Sequence, residues 1–323
     1  SDLSQSSSSN TVRHRNTVST QNTATRKTAF IPYKIPENKK AIEESIAFCF
    51  RKTRFYMKIK KRYIVIISVL LILAAAWAYF TFSLEVTHTE IRSSKINNEI
   101  KIVQLSDLHG MSFGKNNERL LDAVRKENPD IVAVTGDMFT YGDGKGEEVA
   151  ISLLSELAKE FRVYFVNGEH DNNKEFFDIL EKNGVNVLKY EDELVVIGNT
   201  NIHIYGITNV YFSSTFNLEN AFEKDNAHFC LLLAHMQKFS KFAAFGMDLS
   251  LCGDTHGGLF RLPGIGALYD GETWFPDLAG KYVKGLYSFG QSKMFVSSGL
   301  GSYPVPLRFF NTPEVSVITL LPE

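Results

Sequence analysis

The sequence predicts an α/β domain of two packed, mixed β-sheets flanked by helices, preceded by one transmembrane helix. Three observations predict this. One uncharged run of twenty residues, Tyr63 to Phe82, matches the ~30 Å hydrocarbon thickness of a bilayer at ~1.5 Å per residue. After residue 98, short apolar runs alternate with stretches of helical spacing. About a dozen such strand-like runs follow, more than one tidy open sheet accommodates.

Residues 1–56 are expected to be a disordered or non-native N-terminal extension. The first thirty are rich in Ser, Thr, Asn and Gln, and the first Met is Met57. Residues 57–84 read as a basic flank and a signal-anchor helix. Core helices rarely run this long without a polar face. Arg51, Lys52, Arg54, Lys58, Lys60, Lys61 and Arg62 precede the span, and Glu85 and Glu90 follow it. The positive-inside bias predicts a single-pass protein of the cell membrane, N-terminus cytoplasmic and the domain of residues 85–323 extracytoplasmic. Cleavage after Ala76-Trp77-Ala78 is disfavoured, because the apolar run continues to Leu84. The bilayer is thus the first expected partner.

In the domain, Ile100–Leu105 reads as a strand. Leu120, Leu121 and Val124 give helical spacing to residues 117–126. A strand at 131–134, a helix at 147–159, a strand at 163–166 and a helix at 174–182 follow. This repetition implies crossovers and a mostly parallel, buried sheet. Runs at 185–188, 194–197 and 202–207 have short connections, which predicts an antiparallel or mixed portion. Further strands are expected at 229–233, 249–251, 294–297 and 315–320.

Five of these strands end in loops that carry chemistry: Asp107-Leu108-His109, Gly136-Asp137, Gly168-Glu169-His170-Asp171, Ala234-His235 and Gly253-Asp254-Thr255-His256. Sites in open α/β sheets form outside the carboxyl ends of strands. Together the loops supply four histidines and five carboxylates, the donors of hard and borderline metal ions. Any one has a plain structural alternative: Asp107 as a helix cap, Gly136-Asp137 as a turn, His235 as a satisfied core histidine. The ordered set points to a metal site.

The set resembles the calcineurin-like metallophosphoesterase family, whose pattern is Asp-x-His, Gly-Asp, Gly-Asn-His-Asp/Glu, a lone His and Gly-His-x-His. The likeness covers residues 99–320, including Gly299-Leu300-Gly301 and Pro306-Leu307-Arg308. The helix before the domain resembles the membrane-anchored branch that includes the YkuE-type bacterial phosphodiesterases. The resemblance implies a four-layer metallophosphoesterase sandwich and two divalent metal ions (Mn, Mg, Fe or Zn). It implies one ion on Asp107, His109, Asp137 and His256, and the other on Asp137, Glu169, His235 and Asp254, with Asp137 bridging. It implies a bridging hydroxide that attacks phosphorus, with His170 over the phosphoryl group as the catalytic side chain.

Two positions depart from the pattern. Glu169 stands for the family's Asn, and Asp254 for the first His of Gly-His-x-His. Both map to the second ion and raise the charge of the ligand set from −2 to −4. That favours a hard cation there, and a phosphodiester or pyrophosphate over a monoester. The expected activity is metal-dependent phosphohydrolysis of phosphodiesterase or pyrophosphatase type, on a small-molecule or lipid substrate. The alternative is a catalytically weakened binding module with an altered second site.

Residues 84–323 carry 21 Lys+Arg against 32 Asp+Glu, so no nucleic-acid partner is expected. Three dispersed cysteines exclude a disulfide scaffold, and Cys252 is expected buried rather than reactive. No phosphate-cradling Gly-Lys-Ser/Thr loop or dinucleotide fingerprint occurs. Arg308 is expected either to contact phosphate or to form a structural ion pair. The Gly- and aromatic-rich residues 269–289 read as core and loop packing before an apolar groove. His203 and His228 receive no role.

Overall fold

The computed structural model describes residues 38–208, 217–270 and 273–323. The chain divides into two compact units, one ending at Ile64 and one running Val65–Glu323. Helix α1, Lys39–Phe82, contains the apolar run and is long and apolar enough to cross a membrane. It begins inside the stretch expected to be disordered or non-native. Residues 39–56 contain neither Gly nor Pro and are rich in Lys, Glu, Ala and Ile, so nothing in them opposes a helix. The part of that expectation covering residues 1–37 lies outside the described residues.

The elements that follow are β1 (Glu85–Arg92), β2 (Ile100–Leu105), α2 (Glu118–Glu127), β3 (Ile131–Val134), α3 (Gly144–Ala158), β4 (Arg162–Phe165), α4 (Lys174–Lys182) and β5 (Asn186–Val187). Then come β6 (Glu191–Ile197), β7 (Thr200–Gly206), β8 (Phe229–Leu233), α5 (Phe239–Phe245) and β9 (Leu249–Cys252). The chain ends with β10 (Phe260–Leu262), β11 (Gly266–Tyr269), β12 (Gly285–Phe289), β13 (Ser292–Val296) and β14 (Glu314–Leu321).

They form two six-stranded sheets, ordered β1-β14-β2-β3-β4-β5 and β12-β13-β9-β8-β7-β6, and a small β10-β11 hairpin. In the first sheet β2 to β5 run parallel and β14 opposes β2. In the second, β7, β8, β9 and β13 run parallel, with antiparallel β6 and β12 at the edges. The expected antiparallel portion is therefore the β6–β7 pair.

Period-two alternation builds the layers. Ile100 and Ile102 point between the sheets, where they meet Ile204, Leu231, Leu233 and Leu251. Val103 and Leu105 point the other way and meet Leu121, Leu153 and Leu180 from α2, α3 and α4. On the far side, Leu232 and Met294 pack on Phe242 and Phe245 of α5. Helices, sheet, sheet and helix form the four-layer α/β sandwich. Because the inner strands are parallel, the carboxyl ends of strands in both sheets converge.

Candidate metal centre

All five chemistry-bearing loops leave their strands at those converging ends. Asp107 follows β2, Asp137 follows β3, His170 follows β4, His235 follows β8, and Asp254 and His256 follow β9. The loops turn sharply, and five side-chain-bearing residues take left-handed φ: Asp107 (52°), His109 (47°), Asp137 (54°), Asp254 (74°) and His256 (51°). Such conformations oppose the steric preference of L-residues and persist where surrounding bonds over-determine them. The bonds are visible. Asp107 N–H donates to Gly136 O at 2.9 Å and His109 N–H to Asp137 O at 3.0 Å. His170 N–H donates to Asp137 Oδ1 at 2.9 Å.

Two triads of ligand atoms lie mutually within 4.8 Å: Asp107, His109 and His256, and Asp107, Asp137 and His235. Asp107 belongs to both. Asp137 Oδ2 also reaches toward both, lying 3.3 Å from His235 Nε2 and 3.7 Å from His109 Nε2. Asp254 stands at the margin, Oδ1 at 3.8 Å from His235 Nε2, with its side chain one-third exposed. Glu169 is exposed, among the residues lining a cavity of about 570 Å³ that also includes Asp254, Lys238 and Tyr282.

The imidazole nitrogens test whether this set suits cations. His235 Nδ1 faces Thr135 O at 2.7 Å, and His256 Nδ1 faces Gly301 O at 3.3 Å. A carbonyl only accepts, so each Nδ1 carries a proton and Nε2 is the ring nitrogen left facing inward, where it holds either a second proton or a cation. His235 Nε2 is fully buried and lacks a hydrogen-bond partner. The Nε2 atoms thus face the carboxylates of Asp107 and Asp137, an arrangement that a cation between them satisfies. His109 Nε2 is 3.2 Å from His256 Nε2, and its Nδ1 is 3.1 Å from Thr140 Oγ1.

The electrostatics agree. Burial, then the neighbouring imidazole charge of His256, hold His109 down at about 3. Burial and Arg308 hold His256 down at about 3. Both rings are therefore neutral donors at neutral pH. Burial disfavours charge on His235 too, but Asp137, Asp107 and Asp254 outweigh it and raise the ring well above its ordinary value. Positive charge is what this position demands. Burial pushes Asp254 up to about 6, against His235 and with Asp107, Asp137 and Glu169.

Several contributing residues were not legible as such. Asp171 is fully buried and accepts from Met138 N–H at 2.8 Å and Gly168 N–H at 2.7 Å, which pins the Asp137 and His170 loops together. Burial and Asp137 raise it to about 7. Tyr303 stacks at 5.3 Å on His109 and lies 4.4 Å from the His170 ring. Its position in a Pro-rich loop gives no periodic signal.

Arg308 is fully buried, and among the described residues no carboxylate forms the expected ion pair with it. Its guanidinium donates to Ser298 O at 2.8 Å, to Gly301 O and to Ser302 Oγ, so it shapes the loop that positions His256 Nδ1. Cys252 is buried, as expected, and burial raises its thiol. Among the described residues of 269–289, Val283 is buried, Trp274 is 65% exposed and Tyr282 lines the cavity beside Asp254, so the stretch combines core and loop.

Residues 100–258 match the profile of the calcineurin-like phosphoesterases. The chain is 26% identical over 249 residues to an uncharacterized metallophosphoesterase, YkuE, of Bacillus subtilis, covering 73% of this chain and 85% of the relative. It is 28% identical over 267 residues to an uncharacterized metallophosphoesterase of Aquifex aeolicus, covering 77% and 97%. It is 27% identical over 231 residues to the phosphodiesterase YaeI of Escherichia coli, covering 68% and 82%. The matched segment opens on β2 and closes just past His256, so it encloses every side chain of the cluster, and over that segment the chain is a calcineurin-like metallophosphoesterase domain.

Proposed function

We propose that this chain is a membrane-anchored phosphohydrolase that cleaves a phosphodiester or pyrophosphate bond at a dinuclear metal centre. The observation that carries this reading is the pair of ligand triads sharing Asp107. Two divalent ions held there would lower the pKa of a water and offset charge on the phosphoryl oxygens.

The side chains divide the remaining work. Asp107 and Asp137, both buried, supply negative charge from β2 and β3. His109 and His256 supply neutral nitrogen donors, and His235 would supply a third once a cation replaces its inward proton; Thr140, Gly301 O and Thr135 O orient the three rings. Glu169 and Asp254 extend the set toward the 570 Å³ cavity and favour a hard cation on that side. His170 is half-buried, and its main chain is tied to Asp137. It offers its imidazole proton to the leaving oxygen. Four ligand carboxylates balance two divalent cations, so the centre attracts a phosphate monoester dianion weakly and a diester monoanion suffices.

The apolar run of α1 supports the anchor, and the basic flank before it supports a cytoplasmic N-terminus. The test is turnover of bis(p-nitrophenyl) phosphate and p-nitrophenyl phosphate by the full chain under Mn and Mg. Diester preference is expected, and a clear monoester preference contradicts the reading. One observation favours the second reading, a weakened binding module: Glu169 is exposed and stands outside both triads. Metal-dependent turnover of either ester excludes it.

A further inference from the structure

We propose that the loop Tyr303–Phe310 and the β10–β11 turn Leu262–Ile265 seat in the bilayer interface, so that the metal centre works at headgroup level. The inference rests on the membrane-anchored reading above.

The helix supplies a depth scale. Trp77 Nε1 donates to Pro306 O at 2.8 Å, and Arg308 N–H donates to Thr81 Oγ1 at 3.2 Å. Trp77 lies five residues before the helix end at Phe82, about 7.5 Å along the axis. Val305 and Pro306 therefore lie alongside the last turn and a half of the apolar run, not beyond it. Phe80 meets Phe310 at a ring distance of 4.8 Å. The hairpin joins the same place: Phe260 stacks on Phe309 at 5.1 Å, and its turn shares a cavity of about 880 Å³ with Tyr79, Phe80 and Leu84.

The composition fits that depth. Residues 262–269 carry no charge, and residues 299–310 carry only Arg308, which is fully buried. Yet Val305 is 52% exposed, Phe310 53%, Ile265 46% and Leu262 39%. In water this apolar surface is unfavourable, whereas beside the end of a membrane helix it is complementary to acyl chains and the interfacial zone. Tyr303, three residues from Pro306, stacks on His109, so the chain joining the centre to the interface spans at most ~10 Å. A substrate phosphate in the headgroup layer would reach it without leaving the membrane.

Full-length protein in vesicles of phosphatidylcholine and phosphatidylglycerol tests this. An environment-sensitive fluorophore is placed at Ile265→Cys, Val305→Cys or the control Asn201→Cys, each with Cys49→Ser; Cys230 and Cys252 are buried. Asn201 belongs to the far end: β1 leaves the helix side and runs eight residues, ~25 Å, before Asn97 bonds Asn199. Blue-shifted emission quenched by spin-labelled lipid is expected at 265 and 305 but not at 201. Aqueous emission at all three sites, in protein that resists a carbonate wash, overturns the docking and leaves the anchor standing. Loss of the protein in that wash overturns the anchor itself. Independently, Ile265→Asp is expected to slow turnover of a vesicle-borne phosphodiester about tenfold while a soluble diester is cleaved as before. Equal effects on both substrates contradict the proposal.

Discussion

The main-chain N–H of Asp254 donates to both carboxylate oxygens of Asp107, at 3.1 and 3.2 Å. This contact joins the β9 loop of one sheet to the β2 loop of the other at the residue common to both ligand triads. It requires Gly253, because a Cβ there would overlap Ser106 Oγ and lie 2.6 Å from Asp107 Oδ2. Gly253→Ala is therefore predicted to abolish hydrolysis and to lower stability by roughly 1–3 kcal/mol through overpacking. Gly290→Ala, at φ 60° with no atom within 4 Å of the added carbon, is the control and should keep full activity. Activity assays and thermal melts check both.

Thr140 meets His109 Nδ1 and no other member of the centre. Thr140→Val keeps the shape and removes the hydroxyl that orients the ring. Metal affinity is predicted to fall roughly 10- to 100-fold, with recovery of activity at saturating metal. Metal titration of turnover measures it, and unchanged affinity would show that the hydroxyl does not orient the ring.

In the proposed dinuclear reading, Glu169 and Asp254 set the charge of the second ligand group. The double variant Glu169→Asn, Asp254→His removes two negative charges from it. Its ratio of monoester to diester turnover is predicted to rise about tenfold or more, because a more positive centre attracts a dianion better. A ratio unchanged from the parent would remove the electrostatic explanation of selectivity.

Asp225 provides a pH test away from the metal centre. Burial raises its carboxyl, but bonds from His228 and His203 and from the amides of Ala227 and His228 prevail and hold it well below the ordinary range. A depressed carboxyl contributes stability that is complete above its unfolded pKa of about 4 and fades as pH falls further. Asp225→Asn should therefore lower the melting temperature at pH 7, with the difference from the parent shrinking as pH falls below about 4. A constant difference would contradict the assignment.

The inner strands were legible because parallel, two-sided burial turns them into short apolar runs. Ile131–Val134 and Phe229–Leu233 are observed with the bounds expected of them. The ends of those runs named the loop residues that meet. β1, β10, β11 and β12 were not legible. β1 is an edge strand with a single buried residue, and β10 to β12 mix Gly, aromatic and polar residues at largely half-exposed positions. Helix α5 is a short Phe-rich turn with no polar face to betray it. The parts played by Asp171, Arg308 and Tyr303 depend on distant amides, carbonyls and rings, and no local pattern carries such information.

Asp107, Asp137 and the three imidazoles together are expected to act as a cation-binding centre. Its most direct test is the metal content of the purified full chain and of Asp137→Asn after equilibration with Mn. Two equivalents are expected in the parent, with loss of at least one in the variant. No bound metal in a folded parent chain would contradict it.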